Sequence, residues 1–288
     1  MPFSPVVDAA IAGVLGLLVG SFLNVVIYRL PRMLERQWAA ECAEYSGQPP
    51  AAEQAPFNLV VPRSRCPHCG HQIQWYENIP VLSWLALRGR CSACSARISV
   101  RYPLVELATA SLFAICGARW GLTPQAAAWA AFGAMLVCLF LIDMDTQILP
   151  DDINYPLLWL GLLAATVGWT VPLPSAVWGA ALGYLVFWFV FQGYKLLTGK
   201  EGMGYGDFKL LAALGAWYGV EYLLAIVLVS SIVGALIGAL LLVFGRLADK
   251  EVPIAFGPYL AGAGLVCLAI GPATVPALFP FAFPFGMR

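Results

Sequence analysis

Charge is scarce in this sequence. Of its 288 residues only 11% are Asp, Glu, Lys or Arg, against 60% apolar, and that balance excludes an ordinary soluble domain. The charges also cancel, 16 basic against 16 acidic, which removes any bulk attraction to nucleic acid. The N-terminus has no basic segment and no small-residue cleavage site, so the first apolar run is expected to be a retained helix and not a signal peptide. No internal repeat is evident, and no Gly-rich phosphate-cradling fingerprint is present. A polytopic, all-α membrane protein is what remains.

A bilayer core takes about 20 mostly apolar residues per helix. On that rule the apolar runs predict about eight transmembrane helices, over 9–28, 104–118, 125–142, 155–171, 176–197, 208–218, 222–244 and 254–270. The sixth is short for a full crossing. With eight crossings, all 16 Lys and Arg except Arg119 and Arg288 fall on one side, which the positive-inside rule makes cytoplasmic. The chain is expected to divide into a first helix (1–28), a cytoplasmic loop (29–103) and a transmembrane core (104–288). Within the loop, 33–41 reads as a surface helix and 47–53 as a linker. The tail after Gly271 carries Pro272, Pro276, Pro280 and Pro284 and cannot be one continuous helix.

Four of the eight cysteines stand in two pairs, Cys66-x2-Cys69-x21-Cys91-x2-Cys94. Each pair makes a tight knuckle whose thiolates point at one tetrahedral centre, the pattern of a closed structural zinc site. Disulfides or idle thiols are the alternative, and a reducing cytoplasm disfavours the former. His71 could replace one cysteine, although His71 and His68 are expected to be bystanders. Four thiolates leave the metal no open position, so it should hold a fold and hydrolyse nothing. Cys116, Cys138 and Cys267 lie in apolar runs as buried thiols.

Carboxylates at the ends of membrane helices are costly and need a reason. Asp143 closes one apolar run, and Asp207, 64 residues on, sits in Gly202-Met203-Gly204-Tyr205-Gly206-Asp207-Phe208-Lys209. Two carboxyls a few ångströms apart cannot both ionise cheaply. One then keeps a proton while the other activates water, and a peptide bond can be hydrolysed without metal or covalent intermediate. Asp151 and Asp152, beyond Pro150, are placed to cap the next helix. Asp145 stands between the two readings, and Lys209 reads as a cytoplasmic anchor.

These residues resemble a known family. Gly204-Tyr205-Gly206-Asp207 fits the GxGD motif of intramembrane aspartyl proteases, and Asp143 fits the first aspartate of the type IV prepilin peptidases. Gly20-Ser21-Phe22-Leu23-Asn24, then Asn78-Ile79-Pro80-Val81-Leu82-Ser83-Trp84 and Ser99-Val100-Arg101-Tyr102-Pro103, are similar to that family's first-helix and loop signatures. The resemblance implies an enzyme of the bacterial inner membrane with Asp143 and Asp207 as its catalytic pair. It would cut the basic leader of prepilins and pseudopilins after a glycine and then N-methylate the new N-terminus from S-adenosylmethionine. Asn24, Arg29, Glu77 and Arg101 match the family pattern, but the residues name no site for the methyl donor. The competing readings are a protease without methyltransferase activity, a transporter using the acids as a proton relay, and a non-catalytic assembly factor.

Overall fold

The computed structural model describes residues 4–47, 55–200, 202–244 and 255–278, together with Pro280 and Phe283. Residues 48–53 of the linker expected over 47–53, the basic residues Arg246, Lys250 and Arg288, and Pro284 lie outside them. Among the described residues the ordered structure is helical and no strand forms, apart from two isolated bridges, Arg65 with Gln72 and Arg90 with Arg97. Each of the eight expected spans falls on a helix. Four helical segments, Pro5–Tyr45, Pro124–Thr146, Leu173–Thr198 and Val220–Val243, are long and apolar enough to cross a membrane.

The chain forms two compact units, Met1–Ala126 and Ala127–Arg288. In the first, α1 runs over Pro5–Tyr45, started by Ser4 as N-cap with proline at the first helical position. Its 41 residues extend about 60 Å, twice the thickness of a bilayer core. The surface helix expected over 33–41 is therefore the continuation of the first span. Pro31 deletes one helical hydrogen bond but does not end the helix. The turn is held from outside, where the Arg29 guanidinium donates to the carbonyls of Asn58 (2.9 Å) and Pro62 (2.6 Å).

A short α2 (Leu82–Ala86) lies in the loop, and α3 (Arg101–Trp120) returns along α1. Gly16 and Gly20 let the two backbones touch: a Cβ at either would come within 2.7 Å of the Ala110 or Glu106 Cα. This contact groups α3 with α1, whereas the sequence placed the helix with the core of 104–288.

The second unit contains α4 (Pro124–Thr146, whose first residues belong to the first unit), α5 (Asp151–Thr166), α6 (Leu173–Thr198), α7 (Tyr205–Tyr218), α8 (Leu223–Val243) and α9 (Gly257–Ile270). The short α10 (Val275–Leu278) follows in the described part of the proline-rich tail. α7 is the centre. At 14 residues it is about 21 Å long, but every residue from 207 to 218 except Lys209 is buried. A helix wrapped by protein need not match the thickness of the lipid, which is why its apolar run is short.

Trp217 and Tyr218 of α7 stack with Trp129 and Phe132 of α4 at centroid separations of 4.6–5.6 Å. Trp217 Nε1 donates to the Leu157 carbonyl at 2.8 Å and the Tyr218 hydroxyl to the Gly264 carbonyl at 2.7 Å. α6 crosses α7 where Gly179 faces Gly215, and a Cβ on either would collide with the other's carbonyl. Since backbone cannot yield as a side chain can, Gly215→Val is expected to abolish recovery of folded protein in detergent extracts. Normal yield and monodisperse elution of the variant would contradict this packing.

Candidate active site and cysteine centre

Asp143 lies in the last turn of α4 and is 4% exposed, and Asp207 lies in the first turn of α7 and is 8% exposed. α4 stops just after Asp143 because Gln147 takes the left-handed conformation, φ 55°, and returns its N–H to the Asp143 carbonyl at 2.9 Å. The GxGD spacing has a direct structural meaning. Gly204 is the N-cap of α7 and Asp207 its third residue, so the carboxylate folds back to accept from the Gly204 N–H. The Asp207 N–H meanwhile donates to the Gly204 carbonyl at 3.2 Å. The side-chain bond to the N-cap N–H is one half of a capping box, a glycine having no side chain to supply the other, and the helix dipole favours a negative charge there.

The two carboxyls are near enough for the charge of Asp143 to act on Asp207. Asp143 accepts a hydrogen bond from the Gly257 N–H at the start of α9. Asp143 Oδ2 and Asp207 Oδ1 make no hydrogen bond to any described residue. Buried polar oxygens are otherwise nearly always paired. Two unpaired ones in a coupled pair are the atoms that would engage a water and a substrate carbonyl. Leu149 closes the floor: a Cβ at Gly206 would lie 2.8 Å from its Cβ, and one at Gly257 2.9 Å from its Cδ1. Of the three glycines near the motif, Gly202 and Gly206 sit tightly against a neighbour, while a Cβ at Gly204 would meet nothing nearer than Asp207 Oδ2 and the Gly206 N at 4.0 Å.

Asp145 is exposed. Two residues along a helix from Asp143, it points about 200° around the axis and cannot share its face. Asp151 and Asp152 occupy the first turn of α5 but neither caps it, the N-cap being Pro150 with no side-chain bond. Asp151 instead takes Lys209 Nζ on both oxygens at 2.7 Å. Lys209 also packs 5.1 Å from the Tyr155 ring centroid. It is thus a brace between α7 and α5, where the sequence suggested an anchor.

In the first unit the four Sγ atoms of Cys66, Cys69, Cys91 and Cys94 lie within 4.8 Å of one another. Cys66 and Cys94 are 3.8 Å apart, and Cys69 and Cys91 4.0 Å. Tetrahedral zinc with bonds of about 2.3 Å puts its sulfurs about 3.8 Å apart, whereas a disulfide needs about 2.05 Å. All four are free thiols, and the cluster could hold a metal ion. Each knuckle is the same hairpin. Gly70 N donates to Cys66 O and Ser95 N to Cys91 O, both at 2.9 Å, with Gly70 and Ser95 at φ 72° and 59°. The N–H groups of Cys69 and then His68 lower the Cys66 thiol to about 7, favouring the thiolate a metal requires.

His71 is not part of the cluster. Its Nε2 pairs with Glu77 Oε2 at 3.1 Å, and Glu77 also accepts from the Gln74 N–H at 2.8 Å and from the Ser92 hydroxyl. Glu77 therefore ties one knuckle to the other, and those donors, the Gln74 N–H first and the Ser92 hydroxyl second, lower its pKa to about 2.

Residues 14–120 match the model of the bacterial peptidase A24 N-terminal domain, and residues 130–239 that of the type IV leader peptidase family. A prepilin leader peptidase/N-methyltransferase of Stutzerimonas stutzeri is 51% identical over 279 residues, covering 97% of this chain and 96% of the relative. The protein of the same name from Pseudomonas aeruginosa is 53% identical over 268 residues, 93% and 92% of the two chains. That of Aeromonas hydrophila is 53% identical over 261 residues, 88% of each. The chain belongs to the type IV leader peptidase family. No solved structure matches it.

The cysteine centre falls in the first family domain and both aspartates in the second. The signature residues of the leader peptidase N-terminal region are ties between α1 and the chain that follows it. Asn24 Nδ2 donates to the carbonyls of Gly20 (3.3 Å) and Tyr102 (3.2 Å), and Arg29 holds the loop as described. Gly257 is the site residue that sequence reasoning missed. The local pattern, glycine before proline at a helix start, is legible, but nothing in it reports contact with an aspartate more than a hundred positions earlier.

Proposed function

We propose that this enzyme removes the leader of prepilins and pseudopilins after a glycine and then N-methylates the exposed N-terminal residue. The buried pair Asp143 and Asp207, each with one oxygen unpartnered, carries the first half of that reading. The pair shares one proton. The ionised member takes a proton from water, which attacks the scissile carbonyl. The protonated member hydrogen-bonds to that carbonyl oxygen and then protonates the leaving nitrogen. The Gly257 N–H keeps Asp143 from turning away. Glycine at the cleavage point suits the chemistry, because a helical peptide bond is shielded and must unwind to be reached. The second half rests on the names of the relatives, which pair peptidase with N-methyltransferase.

The Lys and Arg distribution supports an inner-membrane enzyme with the loop of 29–103 and the acids at the cytoplasmic face. That is where a leader stays while the pilin's apolar helix lies in the bilayer. Zinc is the metal proposed for the four cysteines, tying the two hairpins together and taking no part in hydrolysis. Elemental analysis of purified protein should find about one zinc per chain. Cys66→Ser should lose it and lower methylation more than cleavage. A metal-free wild type with reduced cysteines would contradict the assignment.

The deciding experiment is mass spectrometry of a prepilin treated with the purified enzyme and methyl donor. The expected product lacks the leader and carries one added methyl at its N-terminus. Cleavage without the methyl would make this a peptidase only, and no cleavage by folded enzyme would overturn the reading.

A further inference from the structure

Asp143, Asp207 and Asn154 each have a buried side-chain oxygen that bonds to no described residue. The hydrolysis described above uses the first two oxygens and gives no part to Asn154. This residue is the fourth of α5 and is 0% exposed. An amide buried with one end unpaired is costly, and an apolar side chain of similar size would avoid that cost. Its retention needs a reason, and the bond it does make supplies one.

Asn154 Nδ2 donates to the Leu149 carbonyl at 3.4 Å. The amide must face this way, because its oxygen turned to the same place would meet another acceptor. Among the described residues this is the one hydrogen bond that Leu149 makes. Leu149 lies in the turn between α4 and α5, outside either helix and half-buried, so no helical ladder holds it. The asparagine, by contrast, stands on a firm base. Asp151 and Leu157, three residues to either side of it, are tied to Lys209 and Trp217 of α7.

The leucine so held touches both arms of the aspartate pair. A Cβ at Gly206, the neighbour of Asp207, would lie 2.8 Å from the Leu149 Cβ. One at Gly257, whose N–H holds Asp143, would lie 2.9 Å from the Leu149 Cδ1. Leu149 is therefore a wedge between the GxGD turn and the start of α9. Two carboxyls share one proton only while they stay close, and the wedge bears on the segments that carry or hold them.

We propose that Asn154 is a positioning residue of the peptidase, which fixes the spacing of Asp143 and Asp207 by holding the Leu149 carbonyl. The inference rests on the peptidase reading above and adds a residue to it. Asn154 gives up no proton and acts through Leu149. If the amide is lost, the turn loosens, the wedge shifts and the pair no longer keeps the separation at which one carboxyl serves as acid and the other as base.

The test uses the full-length enzyme in detergent and the variant Asn154→Leu, which keeps the size of the side chain and removes the amide. Replacing a half-paired buried polar group by an apolar one is neutral or stabilising, so thermal unfolding should come at the wild-type temperature or above it. Prepilin cleavage should nevertheless slow, with kcat down about tenfold and KM unchanged, less than the roughly 100-fold that a 1 Å displacement costs. A purely structural asparagine predicts the opposite pattern. Stability and activity falling together, or a variant that yields no folded protein, would establish that role and overturn the proposal. So would a wild-type kcat in folded Asn154→Leu. A second measurement combines this variant with Leu149→Ala. Once the leucine side chain is gone the tether has no wedge to hold, so Asn154→Leu should cost no further kcat. Losses that multiply would mean that Asn154 acts elsewhere. A wild type that cleaves no prepilin would overturn the peptidase reading, and this inference with it.

Discussion

Asp143→Asn and Asp207→Asn are each expected to slow leader removal by about 10³-fold or more, and the double variant should be no slower than either. General acid–base groups contribute about 10²–10⁴ each, but the members of this pair do not act separately. One activates the water while the other holds the carbonyl and supplies the proton, so loss of either disables both steps. Residues that work as a unit show such non-additivity. The rate at which prepilin converts to its mature form measures it, with equal protein folded by zinc content and elution profile. A residual rate within about tenfold of wild type in either single variant would remove that aspartate from the reaction. Losses that multiply in the double variant would mean that the two act independently.

Gly257→Ala should lower the same rate by about 100-fold while leaving the protein folded. A Cβ built there lies 2.5 Å from Asp143 Oδ2 and 3.1 Å from its Cγ. Something must move, and the softest neighbour is the carboxyl itself, whose oxygen is the one the mechanism needs. Displacement of about 1 Å at a reacting group is enough for such a loss. Gly262→Ala is the control on the same helix: its Cβ would meet only Phe140 ring carbons at 3.6 and 3.9 Å, ordinary contact. Cleavage should be near normal in Gly262→Ala. Equal losses in both variants would mean that α9 acts through packing and not through Asp143.

The all-helical character and the position of each span could be read from the sequence, because the length of an apolar run is itself the signal for a membrane helix. The cysteine quartet was legible for a similar reason. A C-x2-C knuckle is closed by bonds within a few residues, Gly70 to Cys66 and Ser95 to Cys91, so local spacing fixes its geometry. The GxGD motif is local in the same sense, Gly204 capping α7 and receiving Asp207 in return. Asp143 and Asp207 could be singled out as candidates because a carboxylate ending an apolar run stands out against its surroundings, and both are buried with one oxygen unpaired.

Tertiary structure alone decided which helix faces which. Helices that are apolar on every side carry no preferred face, so nothing local assigns α3 to α1 or makes the 14-residue α7 the buried centre of its unit. Those choices rest on backbone contacts such as Gly16 with Ala110 and Gly179 with Gly215, where the information is shape and lies on two distant segments at once. For the same reason Gly257 at Asp143, Lys209 on Asp151 and the Val81 N–H on Glu106 were invisible beforehand. Each pairs groups that the chain separates by tens of residues, and only close packing, which leaves a short list of neighbours for every buried polar atom, brings them together.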